Sequence, residues 1–270
     1  QDQDKLEEAI EAFNKALTLK PDYADAYNNM GNALQDQGKL EEAITSYNKA
    51  LSLKPDHAYA YNNMGNALRD QGKLHEAVTS YNKALTLKPD YAEAYINMGN
   101  ALKGIVFTKP NPGLQKNIIS LLDKKSFVRP SNIARAAISL LKAEPTLKRN
   151  LQTSSMPEVE PKLYKIITDL SDIPLLLKLI SVCPITDLEL ENLFGELRKS
   201  LLLSISDLQG SAKELKFQSA LALHCFTNEY IYNIGEHEDE ALKALEVAVK
   251  QALDNGSQPS PQSVLCLASF

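Results

Sequence analysis

The stretch ADAYNNMGNALQDQGKLEEAITSYNKALSLKPDH, residues 24–57, returns almost unchanged at residues 58–91. The two copies differ at six of 34 aligned positions, residues 25, 35, 41, 44, 52 and 57 of the first copy. Apolar residues recur in each copy at helical spacing, in two runs separated by a glycine. A period of this length predicts one helical hairpin per repeat, with neighbouring hairpins stacked on each other.

The pattern continues on both sides of these copies, but incompletely. Residues 1–23 match the second half of the repeat, so we expect that the chain begins part-way through a repeat. A further first half begins at Ala92, and GIVFTKPNPG, residues 104–113, then replaces the expected turn and second-helix start. We therefore predict a repeat array over residues 1–103, with a partial repeat 1–23, full repeats 24–57 and 58–91, and an incomplete repeat from 92.

The residues at the turns and helix contacts of each copy resemble those of the tetratricopeptide repeat (TPR) family. In the first copy they are Tyr27, Met30, Gly31, Gly38, Ala43, Tyr47, Ala50 and Pro55, and each recurs 34 positions later. The resemblance implies an all-α superhelix, an α-solenoid, whose first helices line the concave surface. Small residues such as Gly31 and Ala43 let the two helices of a hairpin approach closely.

Asparagine is frequent in the first helix of each repeat. Asparagine is a mediocre helix former, because its amide competes for backbone hydrogen bonds. At about 100° per residue, the asparagines fall on a polar stripe opposite the apolar packing stripe of the same helix. They are Asn28, Asn29 and Asn32 in the first copy, Asn62, Asn63 and Asn66 in the second, and Asn97 and Asn100 in the third.

On the concave surface that the TPR resemblance implies, these asparagines would form rows from one repeat to the next. An amide both donates and accepts hydrogen bonds, so a row of amides can pair with peptide units of any sequence. This arrangement is similar to the asparagine ladder of O-GlcNAc transferase repeats. We therefore predict a peptide-binding site made of the asparagines with Tyr59 and Arg69.

The kind of peptide also follows from this surface. The carboxylate clamp of chaperone cofactors fits less well, because only Arg69 and Lys103 are basic candidates here. Acidic residues on the same side of the helices favour a neutral or basic peptide. Asparagine at these positions also occurs in TPR repeats with no known ligand. A second hypothesis is therefore a structural or self-association arm without a peptide ligand.

Residues 104–270 predict further helices, without the repeat. Stretches such as PSNIARAAISLLKAE, residues 130–144, and HEDEALKALEVAVKQAL, residues 237–253, carry apolar residues at helical spacing. No segment alternates convincingly as a strand would. We predict an irregular helical domain over residues 104–270, whose last helix is cut short at the C-terminus.

This second region resembles a helical segment of bacterial TPR proteins that links the repeats to a SAM-dependent methyltransferase domain. The stretches VRPSNIARAAISLLK, residues 128–142, and PLLLKLISVCPITDLELENLF, residues 174–194, carry the resemblance. It implies that this chain is the N-terminal part of a larger protein. The glycine-rich nucleotide loop of a methyltransferase is absent from the sequence, so such catalysis would belong to another part of that protein.

Composition disfavours several other classes of protein. The net charge of −5, without a basic face, disfavours nucleic-acid binding. The spacing of Cys183, Cys225 and Cys266 predicts neither a disulfide framework nor a zinc site, and favours a reducing, cytoplasmic setting. The most apolar run, residues 173–185, contains two prolines and a lysine, so it does not predict a membrane span.

One segment gathers residue types that catalysis uses. LHCFTNEY, residues 223–230, contains His224, Cys225, Asn228 and Glu229. Adjacent helical positions point about 100° apart, so His224 is not placed to act as a base for Cys225. We interpret the segment as a core helix, and predict no catalytic residue, metal or cofactor in this chain. The predicted function is therefore a non-catalytic scaffold that binds a protein or peptide.

Overall fold

The computed structural model describes residues 2–124, 127–152, 160–205, 211–228 and 235–270. Within these ranges the chain forms 15 α-helices and no strand, which confirms the predicted all-α solenoid class. Seven helices belong to the repeats and their continuation: α1 (Asp2–Leu19), α2 (Ala24–Asp36), α3 (Leu40–Leu53), α4 (Ala58–Asp70), α5 (Leu74–Leu87), α6 (Ala92–Leu102) and α7 (Pro112–Asp123). Eight follow: α8 (Pro130–Lys142), α9 (Pro145–Leu151), α10 (Glu160–Ser171), α11 (Pro174–Val182), α12 (Leu188–Leu203), α13 (Ala212–Asn228), α14 (Glu236–Asp254) and α15 (Pro261–Leu267).

Each full repeat is a hairpin whose two helices meet at a glycine and a tyrosine. A Cβ atom added to Gly31 of α2 would lie 2.6 Å from the ring of Tyr47 on α3, and one added to Gly65 would lie 2.5 Å from the ring of Tyr81. Both tyrosine side chains are fully buried. Any side chain larger than hydrogen at these glycines would therefore force the helices apart.

A second glycine in each repeat makes the turn between the helices. Gly38 has φ of 75° and Gly72 has φ of 76°, in the left-handed region that favours glycine. The Gly38 N–H donates to the Gln35 carbonyl at 2.8 Å, and the Lys39 N–H donates to the Leu34 carbonyl at 2.9 Å. These bonds satisfy carbonyls at the end of α2 and fix the angle at which α3 begins.

The chain divides into two compact units, and the repeats lie in the first. This unit comprises the chain up to Ile105 together with Pro112–Ile133, and the second unit comprises Val106–Asn111 and Ala134–Phe270. These ranges differ from the predicted 1–103 and 104–270, because α7 packs with the repeats. The amide of Asn117 on α7 donates to Asn82 Oδ1 on α5 at 2.7 Å.

The first unit ends in a different kind of contact. A Cβ atom on Gly99 of α6 would collide with the side chain of Val128, which occupies the place that a tyrosine ring holds in the two full repeats. Phe127 stacks on Tyr95 of α6, with ring centroids 6.0 Å apart. Phe127 and Val128, which lie between α7 and α8, therefore replace the regular second-helix contact at the third repeat.

The second unit is built around α11 and α13. The side chains of Leu175, Leu176, Leu177, Leu179 and Ile180 on α11 are buried, so this short helix is apolar on nearly every side. A helix of this kind belongs in a protein interior. Across the described ranges, no helix has both the length and the apolarity needed to cross a membrane.

The contact between Gly65 and Tyr81 gives a test of the fold. We expect Gly65→Ala to lower the free energy of unfolding by about 1–3 kcal/mol, because the added methyl overlaps a buried ring. Gly195→Ala in α12 is the control, since its Cβ would lie 4.0 Å from the nearest side-chain atom, Arg198 Nη2. The control should be neutral or stabilise by up to about 1 kcal/mol. The melting temperatures of both variants are measured by calorimetry. Equal changes in the two variants would contradict the packing described for Gly65 and Tyr81.

Candidate functional site

The first helices α2, α4 and α6 connect their asparagines from one repeat to the next. The side-chain amide of Asn63 on α4 donates to Asn28 Oδ1 at 3.1 Å and to Asn32 Oδ1 at 3.0 Å on α2. Asn97 on α6 repeats the first of these bonds, with Asn62 Oδ1 as acceptor at 3.1 Å. The asparagines therefore link neighbouring repeats through their side chains, and we call this set of bonds the amide network.

Two members of the predicted site are interior residues. Asn28 is 7% exposed and Asn62 is 0% exposed, so the prediction that they lie on an open polar stripe is corrected. The Asn62 amide also donates to Glu93 Oε1 at 3.3 Å, which lies in the next repeat. The angular analysis treated each helix alone, whereas the first helix of the next repeat covers this flank. These two amides stabilise the stack of repeats.

Buried tyrosines orient two of the more accessible amides. The Tyr47 hydroxyl lies 2.8 Å from Asn32 Oδ1 and 3.0 Å from Gln35 Oε1, two acceptors that share its one proton. The Tyr81 hydroxyl donates to Asn66 Oδ1 at 2.8 Å. Burial raises the pKa of Tyr47 and Tyr81 well above the usual value, so both hydroxyls stay protonated and donate. With Oδ1 engaged, the Nδ2 group of each amide is the part directed away from the tyrosine.

At two further asparagines, too, the side-chain oxygen already accepts a hydrogen bond. Asn29 Oδ1 accepts from the Asn28 amide at 3.2 Å, and Asn100 Oδ1 accepts from Lys103 Nζ at 3.1 Å. Both side chains are exposed. Among the residues that the structure describes, no acceptor is bonded to Nδ2 of Asn29, Asn32, Asn66 or Asn100. Asn29, Asn32, Asn66 and Asn100 therefore present Nδ2 as a hydrogen-bond donor. Asn63 and Asn97, whose Nδ2 groups are bonded within the amide network, present Oδ1 as an acceptor.

The two other predicted site residues have partners of their own. Arg69 donates from Nε and Nη2 to Asp70 Oδ1 at 3.2 Å and 3.0 Å, which balances its charge within α4. Tyr59 is 48% exposed and lies edge-on to Tyr91 at 5.1 Å. Lys88 Nζ donates to the Tyr59 hydroxyl at 2.7 Å. The structure thus places Tyr59 in an aromatic cluster with Tyr91, and its contacts are distinct from the amide network.

A side-chain contact between His57 and Asp25, in successive repeats, was not anticipated from the sequence. His57 Nε2 lies 3.0 Å from Asp25 Oδ1, and the histidine is almost fully buried. His57 precedes α4 and Asp25 lies in the first turn of α2, so the contact joins equivalent ends of successive first helices. The second copy has Tyr91 and Tyr59 at the corresponding positions, where an aromatic contact takes its place. Both partners change together between the two copies of the repeat. This paired change is the sequence signal that could have revealed the contact between His57 and Asp25.

The histidine and cysteine of α13 face different partners, as the helical spacing predicts. His224 is buried with Nε2 3.5 Å from Glu191 Oε1, whereas Cys225 Sγ lies 2.8 Å from Arg198 Nη1. Glu229 and the side chain of Asn228 lie outside the described residues. No group of three or more metal-binding side chains occurs in the described part of the chain.

The comparison with protein families identifies the first unit. A family model described as TPR repeat matches three overlapping segments, residues 2–38, 31–68 and 65–105. Residues 2–105 are TPR repeats. The TPR repeats thus supply all the helices that carry the amide network. No curated protein matches the chain significantly.

Solved structures similar to the chain include TPR proteins. An O-GlcNAc transferase from Thermobaculum terrenum is 25% identical, with a TM-score of 0.37, over 43% of this chain and 22% of that one. YrrB, a TPR protein with an unusual peptide-binding site, is 18% identical over 96% and 97%, with a TM-score of 0.37. A TPR protein from Parabacteroides merdae is 17% identical over 99% and 93%, with a TM-score of 0.39. The chain therefore spans about a fifth of the transferase, and the assignment of the repeats rests on the family model.

The amide network predicts which asparagines stabilise the repeats. We expect Asn62→Ala to cost about 1–3 kcal/mol, because it leaves the Asn97 amide and the Glu93 carboxylate without this partner. Asn48→Ala in α3 is the matched control, since Asn48 is exposed and alanine is the better helix former. Chemical denaturation followed by circular dichroism measures both variants. A loss of stability in the control as large as that in Asn62→Ala would show that Asn62 has no special role.

Proposed function

We propose that the TPR repeats bind an extended polypeptide by donating hydrogen bonds from asparagine amides to its backbone carbonyl oxygens. TPR repeats are typical of protein-interaction scaffolds. The observation that supports this mode is the orientation of Asn32 and Asn66 by buried tyrosine hydroxyls. Each full repeat then contributes one oriented donor, at the same place in its first helix.

The spacing of the donors suits an extended chain. Packed helices lie about 8–10 Å apart, so successive donors are separated by roughly that distance. Three residues of an extended chain in the polyproline II conformation make one full turn and rise about 9 Å, so their carbonyls return to the same side. A carbonyl of every third residue or so can therefore face one donor. Because every residue carries the same carbonyl, such contacts bind the backbone with little regard to side chains.

The acidic residues around the network give little charge selection. Asp25 is close to His57 at 3.0 Å, Asp70 is paired with Arg69 at 3.0 Å, and Glu93 accepts from Asn62 at 3.3 Å. These carboxylates already have partners inside the repeats. We therefore propose that backbone hydrogen bonds dominate recognition, and that the preference for neutral or basic peptides expected from the sequence is weak.

Replacing the donors without disturbing their supports tests the proposal. The triple variant Asn32→Asp, Asn66→Asp, Asn100→Asp keeps the oxygen that accepts from tyrosine or lysine, and replaces each outward N–H by an acceptor. We expect at least a tenfold loss of affinity, because each lost hydrogen bond is worth about 1 kcal/mol and tenfold is about 1.4 kcal/mol. The ligands are peptides selected on the parent protein from a phage-displayed library, with affinities measured by fluorescence anisotropy.

The control variant adds the same charge away from the amide network. It is Asn14→Asp, Asn48→Asp, Asn255→Asp, three exposed positions outside the first helices. This control should bind as the parent does. If the library yields no peptide for the parent, or if both triple variants lose affinity equally, the proposal fails. Concentration-dependent self-association in sedimentation velocity, without peptide binding, would instead favour the structural arm.

We also propose that, in the intact protein, the repeats present polypeptide to a SAM-dependent methyltransferase domain in a bacterial cytoplasm. The support is the resemblance of residues 104–270 to the linking segment of such proteins. The reading frame after codon 270 of the gene tests it. A predicted strand followed by a glycine-rich turn is expected there, and a stop codon at that point would contradict the proposal.

A further inference from the structure

The second unit contains a cleft that belongs to none of the features above. Its volume is about 700 Å³, within the range of about 300–1,000 Å³ that is typical of small-molecule sites. One face of α8 forms a wall, and the segment 106–108, Lys148 of α9 and the residues before α12 form the rest. The residues that matter below are Phe107, Arg135, Ile138, Lys142, Lys148 and Asp187.

The cleft has a fixed apolar side. The Phe107 N–H donates to Ser139 Oγ at 2.9 Å, and this hydroxyl donates in turn to the Ala136 carbonyl at 2.8 Å. These two bonds fasten the extended segment to α8. Val106, which is 45% exposed, and Ile138 also line the cleft, so part of its surface is apolar.

One carboxylate, that of Asp187, lies among the residues that line the cleft, and it is paired. Lys142 Nζ lies 2.9 Å from Asp187 Oδ2 and 2.8 Å from Glu189 Oε2. The Asp187 carboxylate also accepts from the Leu190 N–H at 3.2 Å, as the N-cap of α12. Because one lysine serves two carboxylates, these three side chains together carry one negative charge, fewer than the two positive charges of Arg135 and Lys148.

Two cations in the cleft are not balanced in this way. Arg135 and Lys148 are exposed side chains on α8 and α9. In the described ranges no carboxylate is paired with either of them. Their positive charges converge on a concave surface, where the local field attracts an anion more strongly than on an open face. A guanidinium also offers two parallel N–H donors, which match carboxylate and phosphate oxygens.

We propose that this cleft binds a small organic anion. Its phosphate or carboxylate group pairs with Arg135 and Lys148, and its apolar or aromatic body lies against Val106, Phe107 and Ile138. The volume of the cleft is far larger than a bare inorganic anion needs, and its apolar wall would gain nothing from such an ion. Both halves of the ligand are therefore required.

Phenyl phosphate is the probe that tests this proposal on the 270-residue chain. By isothermal titration calorimetry we expect it to bind more tightly than inorganic phosphate, and phenol to bind weakly. The variant Arg135→Gln, Lys148→Gln should lower its affinity at least about tenfold, because charge-assisted hydrogen bonds are lost. The control Lys165→Gln, Lys216→Gln removes equal charge from exposed positions of α10 and α13 and should bind as the parent does.

A second variant tests the cavity without changing the charge. Ala143→Leu adds bulk to the lining of the cleft and should also weaken phenyl phosphate binding, with Arg135 and Lys148 intact. Benzoate is titrated in the same way. Its affinity, set beside that of phenyl phosphate, compares a carboxylate with a phosphate on the same aromatic ring. The proposal is overturned if the parent binds no probe at millimolar concentration, if Arg135→Gln, Lys148→Gln binds as well as the parent, or if inorganic phosphate binds as well as phenyl phosphate.

Discussion

The first unit depends on the contact between a helix glycine and a buried tyrosine ring. Gly31 with Tyr47, and Gly65 with Tyr81, set the distance between the two helices of each hairpin. The hydroxyl of the same tyrosine lies 2.8 Å from the oxygen of the asparagine that directly follows the glycine, in both repeats. Packing and amide orientation therefore share one side chain, and the surface of the repeats is fixed by their interior.

Much of this was predictable from the sequence, because the period of 34 residues repeats both the packing residues and the turn glycine. The helical class and the hairpins follow from that period. Two features of the site do not. The burial of Asn62 arises from contact with the next repeat, which a single-helix projection omits. The donor polarity of Asn66 depends on a tyrosine 15 residues away, on another helix.

The second unit was less predictable from the sequence than the first. Its helices were predictable from apolar spacing, but no period relates one helix to another. The cleft combines side chains from residues 106 to 187, which only the tertiary fold brings together. Lys142 illustrates this, because its partners Asp187 and Glu189 follow it by more than 40 residues. Such a site has no linear signature, whereas the asparagine rows have one.

At the third repeat, Val128 lies where the two full repeats have a tyrosine ring. The two ends of the repeat array therefore support their asparagines differently. Without a tyrosine hydroxyl, Asn100 Oδ1 accepts from Lys103, whose side chain is exposed, in place of a buried phenol. The oxygens of Asn32 and Asn66 face neutral hydroxyls in the protein interior, whereas that of Asn100 faces a cation in solvent. The support of the row therefore depends on salt at α6 and is insulated from salt at α2 and α4.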